Sequence, residues 1–253
     1  MKVYLLLACL LSLLPLPLQA QAAPTAQVRV IVTLRSQADL SAVQGGDPNL
    51  RLRQTVALLK AAASGTAQAK ASAVAMRAAA GETVSEITPF WIFNGFAITA
   101  SPSVIARLAA SPEVLRITPD DIDLAPAGTP AEAVDTTANL SVVQAPSLWG
   151  LGWRGQGVVV ASLDTGVDVT HPDLASSWRG GANSWFDPFD QHPLLPSDPN
   201  GHGTWTMGVM VGGSTSGTAI GVDPAAKWIA ARIFDDSGRS SATAVHRAYQ
   251  WLL

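Results

Sequence analysis

The sequence predicts an α/β protein in which a small α+β domain is followed by a three-layer α/β/α domain built on a parallel sheet. The order strand, helix, strand, strand, helix, strand over residues 28–118 indicates the first domain, and apolar strands alternating with helices from residue 157 onward indicate the second. Hydrophobic residues make up 48% of the 253 residues and charged residues only 14%, so we expect folded cores. The net charge of −3 and the lack of a basic run give no sign of a nucleic-acid partner.

Residues 1–22 have the composition of a secretory signal peptide. Lys2 gives a positive start, residues 3–14 are almost wholly apolar, and residues 20–22 read Ala-Gln-Ala, the small-x-small pattern that a signal peptidase cleaves. The apolar run is too short to cross about 30 Å of hydrocarbon, which argues against a stable membrane anchor. Cys9 is the only cysteine and would leave with this segment. We therefore expect a secreted protein, extracellular or periplasmic, without disulfides.

Residues 23–124 are predicted to fold as one unit with the split βαβ order of a ferredoxin-like domain. Strands rich in β-branched residues open and close it, and an Ala-rich helical stretch, interrupted near Gly65, follows the first strand. Asn94-Gly95 indicates either a hairpin turn or a bulged strand. The elements are expected at 28–34, 49–80, 87–100, 104–110 and 114–118.

Residues 125–138 are rich in Ala, Pro, Thr and Gly without a hydrophobic period, and we interpret them as an exposed linker. The second domain then covers residues 139–253. Its first strand is apolar enough to be buried on both faces of a parallel sheet. Two or so strands cannot close a core, so we expect this to be the N-terminal part of a truncated domain. The predicted strands are 157–163 and 226–234, and the predicted helices are 203–211 and 241–253.

Two short motifs fall where an α/β sheet places its site. An Asp-Thr-Gly motif begins at Asp164, at the carboxyl end of a predicted strand, where side chains open into the ligand crevice. A His-Gly-Thr motif begins at His202, at a helix start flanked by glycines that permit tight bending. Imidazole can accept and return a proton near neutral pH, and a carboxylate on its far side can hold its tautomer and stabilise the imidazolium. We therefore expect Asp164 and His202 to meet at hydrogen-bonding distance.

These motifs, in this order, resemble the subtilase family. The Gly-Val-Asp-Pro-Ala-Ala run at 221–226 is similar to another segment of that family, and residues 227–231 are similar to its bacillopeptidase F-type branch. The resemblance implies a subtilisin-like serine endopeptidase acting on protein or peptide substrates, with Asp164 and His202 in its Asp-His-Ser triad. It also implies that residues 23–124 are an inhibitory propeptide and folding aid, released by self-cleavage within about 125–139.

The family's nucleophile segment, Gly-Thr-Ser-x-Ala, does not occur in the chain, and the family's oxyanion asparagine has no match before Leu253. Losing the serine from such a triad lowers turnover by about 10⁶. We therefore expect the 253-residue chain alone to be inactive and the complete protein to be active. No cofactor is expected to be required for catalysis. The alternative is a non-catalytic pseudoprotease or a secreted inhibitor or binding module. A metallohydrolase is less favoured because no His-Glu-x-x-His spacing occurs.

The remaining polar and aromatic residues leave alternatives open. Asp173, in a His-Pro-Asp-Leu segment that the family shares, is either a ligand of a structural calcium or a turn cap. Trp205 either shapes the substrate cleft beside His202 or packs its own helix. His246 in the last helix is expected to be exposed. A Pro-rich loop is either an ion site or, as we favour, a solvated surface loop. Its polar residues are Asp187, Asp190, His192 and Asp198.

Overall fold

The computed structural model describes residues 26–63, 67–126 and 136–253. The predicted signal peptide at 1–22, the predicted helix interruption near Gly65 and most of the predicted linker lie outside the described residues. Along the described part of the chain, no helix is both long and apolar enough to cross a membrane.

The first domain contains a four-stranded antiparallel sheet. Its elements are β1 Val28–Leu34, α1 Pro48–Ala63, α2 Ala67–Ala79, β2 Ser85–Phe90, β3 Gly95–Ala100, α3 Pro102–Ala109 and β4 Val114–Pro119. The strands lie in the order β2-β3-β1-β4. This order is that of the predicted split βαβ unit, and the Asn94-Gly95 pair lies at a hairpin between β2 and β3.

Alternation along β1 gives the first sheet two different faces, because successive side chains of a strand point to opposite sides. Val30 and Val32 belong to the core between the sheet and helices α2 and α3. Ile31 points the other way and packs with Phe90 in a cluster that includes Ala242 of the second domain. The sheet therefore has an internal face and a face directed at the second domain.

The second domain contains a three-stranded parallel sheet in the order β5-β7-β6. Its elements are α4 Thr136–Val142, α5 Ala145–Gly150, β5 Val159–Asp164, a 3₁₀ turn Ala175–Ser177, β6 Trp185–Phe186, α6 His202–Val211, β7 Lys227–Arg232 and α7 Ala242–Leu252. Helices α4 and α5 and the two-residue strand β6 were not predicted. These segments are too short to display a hydrophobic period.

Helices α6 and α7 cover opposite faces of the second sheet. Met207 and Val211 of α6 pack with Trp228 on one face. Ala248 of α7 packs with Ala231 on the other. The predicted mixed α/β architecture with a parallel sheet is thereby confirmed.

Strand β5 lies at one edge of this sheet, and the prediction that it is buried on both faces is wrong. Val159 at the start of β5 is 46% exposed, and Val158, which precedes the strand, is 47% exposed. Within the described residues, β5 pairs only with β7. A run of apolar residues indicates that a strand is suited to burial, but the neighbouring strands and helices determine how much of its surface is buried.

The two domains meet at the N-terminus of α7. The backbone carbonyl of Asp120 accepts the Ala242 N–H at 2.8 Å, and its carboxylate accepts the Thr243 N–H at 2.6 Å. Ser241 caps the next amide of the helix. The Asp120 side chain is 4% exposed and pairs with Arg29 Nε at 3.0 Å. The carbonyl and the buried carboxylate of one residue of the first domain therefore each satisfy a helix amide of the second, which otherwise lacks a partner.

His246 also lies in this interface, so the expectation that it is exposed is wrong. Its ring centroid lies 5.1 Å from that of Phe90 and 4.9 Å from that of Phe93. Burial lowers the pKa of His246, and the attraction of Asp120 only partly offsets this effect. The sequence of α7 alone could not show that its outer face is covered by another domain.

Candidate active site

The end of β5 fixes the position of Asp164. Asp164 is the last residue of the strand and lies opposite Arg232 in the parallel pairing with β7. Its backbone carbonyl accepts the Ile233 N–H at 2.8 Å. Pairing with β7 and the residue that follows it therefore holds the backbone of Asp164, and its side chain leaves the sheet at the carboxyl edge, where α/β folds place their ligands.

The start of α6 fixes the position of His202. The helix begins at His202, and Gly201 before it has a φ of 95°, which glycine adopts without steric cost. Gly203 approaches the other segment so closely that an added Cβ would lie 2.0 Å from the Gly166 carbonyl oxygen and 3.1 Å from the Asp164 Cβ. The glycine after the histidine therefore lets the helix start rest directly on the strand end.

The two side chains meet. His202 Nδ1 lies 2.6 Å from Asp164 Oδ1, and the side chains are 15% and 14% exposed. The Thr165 N–H also donates to Oδ1 at 2.7 Å, and the Thr206 hydroxyl donates to Oδ2 at 3.1 Å. Because a carboxylate only accepts hydrogen bonds, the proton of neutral His202 lies on Nδ1, and Nε2 is left with a free lone pair. The pair can therefore accept a proton at Nε2.

Thr206 is a member of this site that the sequence reasoning missed. It lies four residues after His202 on α6, so the two side chains share one face of the helix. Its hydroxyl fixes the carboxylate oxygen that His202 does not use. The spacing His-x-x-x-Thr at a helix start was a signal available in the sequence.

Trp205 lies beside the pair and is about half-exposed to solvent. Its ring centroid lies 6.2 Å from that of His202, and the residue is 48% exposed. A separate cleft, which neither Asp164 nor His202 lines, has a volume of about 140 Å³. Its lining residues are Thr165, Pro199, Asn200, Arg232, Phe234, Asp235, Asp236, Ser237 and Gly238.

Asp173 lies away from this pair, and its surroundings do not fit a calcium site. It is 2% exposed, and Ser216 donates to both of its carboxylate oxygens, through N–H at 3.1 Å and through its hydroxyl at 2.5 Å. Burial alone would raise the pKa of Asp173, but the hydrogen bonds from Ser216 and Thr215 outweigh it and lower the pKa. Calcium needs six to eight oxygen ligands. Within the described residues, no group of three or more acidic, histidine or cysteine side chains is placed to hold a metal.

The Pro-rich loop is not simply a solvated surface. The Asp187 side chain is fully buried and accepts the N–H groups of Gln191 and His192 at 2.9 and 2.7 Å. It faces the buried Arg232 guanidinium at 3.7 Å. His192 Nε2 lies 3.0 Å from Asp236 Oδ1. Asp190 is exposed, as predicted. A buried carboxylate and guanidinium thus organise the loop, which loop composition alone could not indicate.

The part of the chain that carries this pair is similar to known proteins. Residues 155–253 match the sequence model of the Subtilase family. The matched segment contains both Asp164 and His202.

Individual relatives carry the similarity further along the chain. The chain is 33% identical over 190 residues to Bacillopeptidase F of Bacillus subtilis (strain 168), and the alignment covers 66% of this chain and 13% of that protein. It is 30% identical over 164 residues to Subtilisin E of the same organism, covering 65% of this chain and 40% of that protein. The Major intracellular serine protease of that organism is 32% identical over 114 residues, or 45% of this chain and 34% of that protein. The chain thus spans less than half the length of each of these relatives and is homologous to them.

Proposed function

We propose that the chain is the front part of the precursor of a secreted subtilisin-like serine endopeptidase. His202 acts as the general base and Asp164 orients it, and a serine outside these 253 residues supplies the nucleophile. The observation that carries the proposal is the 2.6 Å contact between His202 Nδ1 and Asp164 Oδ1 at the carboxyl edge of a parallel sheet. The homology to subtilisins supports the same reaction class.

The proposed reaction follows from the free lone pair on Nε2. Nε2 takes the proton of the serine hydroxyl while the serine oxygen bonds to the substrate carbonyl carbon. The imidazolium that forms is stabilised by Asp164, whose second oxygen stays on Thr206. The proton then passes to the leaving amine as the C–N bond breaks, and water hydrolyses the acyl-enzyme by the same steps. No cofactor takes part.

We further propose that the first domain is an intramolecular inhibitor and folding aid. The support is its interface with α7, in which Asp120 binds two amides of the helix and Trp91 N–H donates to Gln250 Oε1 at 2.5 Å. The linker 125–138, most of which lies outside the described residues, then connects inhibitor and enzyme, and self-cleavage within about 125–139 releases the mature enzyme. Trp205 lies in the substrate cleft, where a half-exposed indole can contact a peptide.

The test is active-site labelling of the protein expressed from its complete reading frame. A serine-reactive fluorophosphonate is expected to label that protein and not its His202→Ala variant. His171→Ala is the matched control, because it removes a histidine outside the pair and should leave labelling intact. The 253-residue chain alone is expected to stay unlabelled. Equal labelling of the His202→Ala variant would refute the proposal, and absence of labelling in the complete protein would favour a non-catalytic binding role.

A further inference from the structure

Asp198 collects hydrogen bonds from both halves of the candidate site. Its Oδ1 accepts the Thr165 hydroxyl at 2.8 Å and the Gly201 N–H at 2.9 Å. Its Oδ2 accepts the Thr204 hydroxyl at 2.6 Å and the Thr204 N–H at 2.8 Å. Thr165 directly follows β5, whereas Gly201 and Thr204 belong to the start of α6. One carboxylate therefore joins the strand end to the helix start.

A second hydrogen bond extends this connection into the helix. The Thr165 hydroxyl oxygen, which donates to Asp198, also accepts the Gly203 N–H at 2.9 Å. Thr165 is only 2% exposed, so water cannot easily replace it in this role. Hydrogen bonds thus run from the Asp198 carboxylate to the Thr165 hydroxyl and on to the Gly203 amide. Thr165 directly follows Asp164, and Gly203 directly follows His202, so these bonds cross the junction at which the pair meets.

The bonding pattern requires an ionised carboxylate. Every partner of Asp198 donates, and an ionised carboxylate is the side chain that only accepts. Burial raises the pKa of Asp198, but the hydrogen bonds from Thr204, Gly201 and Thr165 outweigh burial and lower it. An asparagine has the same shape, but its NH₂ group would point at N–H and O–H donors on one side.

We propose that Asp198 is a positioning residue that sets the distance between Asp164 and His202 by holding the end of β5 against the start of α6. The inference rests on the proposed function, since it concerns the geometry of that catalytic pair. It assigns Asp198 no contact with the substrate.

Asp235 provides a matched control within the same domain. It also accepts several hydrogen bonds, from Ser237 N–H and hydroxyl at 2.9 and 2.6 Å and from Arg239 N–H at 2.9 Å. Its pKa is likewise lowered, because these bonds outweigh the effect of burial. All of its partners lie within one loop, so it joins no two elements of the site. Replacing Asp235 removes similar bonds without disturbing the junction.

The experiment compares variants of the protein expressed from its complete reading frame. Asp198→Asn and Asp235→Asn are compared first, and Thr165→Val is compared with Thr165→Ser, which keeps the hydroxyl. The active fraction of each variant is titrated with a fluorophosphonate, and kcat and KM for a peptide substrate are then measured per active site. The low-field proton resonance of the hydrogen bond between His202 and Asp164 is recorded on the same samples.

Misplacing reacting groups by about 1 Å can lower a rate about 100-fold. For Asp198→Asn and Thr165→Val we expect kcat per active site to fall about 10- to 100-fold with KM changed less than about twofold. The low-field resonance should shift or broaden. Thr165→Ser and Asp235→Asn should retain kcat and the resonance of the wild type.

Several outcomes would overturn the inference while the wild type remains active. They are an unchanged kcat per active site in Asp198→Asn, a change confined to KM, an equal loss in Asp235→Asn, and failure of Thr165→Ser to restore kcat. A drop in the folded fraction with normal kcat per active site would show a structural role only, which also contradicts it. An inactive wild type would instead refute the proposed function.

Discussion

The capping of α7 by Asp120 predicts a local change in stability that can be measured. Asp120→Ala removes the acceptor of the Thr243 N–H and the buried partner of Arg29, while the backbone bond to Ala242 remains. The affected amide lies at the first turn of a helix, where no intrahelical carbonyl can replace the lost acceptor. The substitution should therefore loosen the N-terminus of α7 before it affects the rest of the domain.

The size of the effect follows from the two interactions lost. Loss of a helix N-cap costs about 0.5–2 kcal/mol. The ion pair adds about 1 kcal/mol or less, because Arg29 is partly exposed and keeps Glu86 and Thr88 as partners. The sum is about 0.5–3 kcal/mol, and since 1.4 kcal/mol corresponds to a factor of ten, local opening should increase about 2- to 150-fold.

Hydrogen exchange measured by mass spectrometry on the 253-residue chain is the suitable assay. Peptides containing Ala242 and Thr243 should exchange faster in Asp120→Ala, while peptides of β7 should not. Asp121→Ala is the control. Asp121 is the next residue along the chain, its side chain is exposed, and its backbone forms a bridge with Ser241 that the substitution leaves in place. If the two variants exchange alike in α7, the carboxylate does not hold the interface and the reasoning is refuted.

Three further predictions concern other parts of the second domain. Ser216→Ala should lower the free energy of unfolding by about 1–3 kcal/mol because it leaves a buried Asp173 oxygen without its hydroxyl donor, and chelators should not change the melting temperature of the wild type. Burial lowers the pKa of His246, so the unfolded chain binds a proton more readily than the folded chain. The free energy of unfolding should therefore be greatest above the ordinary histidine pKa of about 6.5 and should fall below that pH. His246→Phe should remove this pH dependence in urea titrations. Gly203→Ala should reduce the folded fraction seen by circular dichroism, because its Cβ would meet the Gly166 carbonyl at 2.0 Å.

Each of these has a contrary outcome. A chelator that lowers the melting temperature would show that a metal ion stabilises the fold. A pH dependence that survives in His246→Phe would assign it to another group. A Gly203→Ala variant of normal stability would show that the helix start can move away from the strand end.

Strand pattern, helix pattern and turn residues predicted most elements of both sheets correctly. Strands β1, β4 and β7 and helices α3, α6 and α7 lie within a few residues of their expected positions. Asn94-Gly95 left a hairpin and a bulged strand open, and the hairpin is observed. These features are encoded locally, in side-chain periodicity and in residues with particular backbone preferences.

The features that were missed depend on contacts distant in sequence. His246 is covered by Phe90 and Phe93, more than 150 residues earlier, so its helix gave no sign of burial. Asp198 was grouped with other loop acids because its role depends on Thr165, which joins it only after β5 and α6 come together. Local sequence patterns predict whether a segment forms a helix or a strand, but they do not predict which distant residues bury it.

The open edge of β5 connects completion of the sheet with completion of the site. On the side away from β7, its backbone amides and carbonyls have no neighbouring strand within the described residues, and an edge of this kind can pair with another strand. Asp164 is the final residue of β5. A strand that adds in parallel and ends level with Asp164 would bring the residues that follow it to the same rim. Backbone pairing and delivery of new side chains to the rim near His202 would then be a single assembly step.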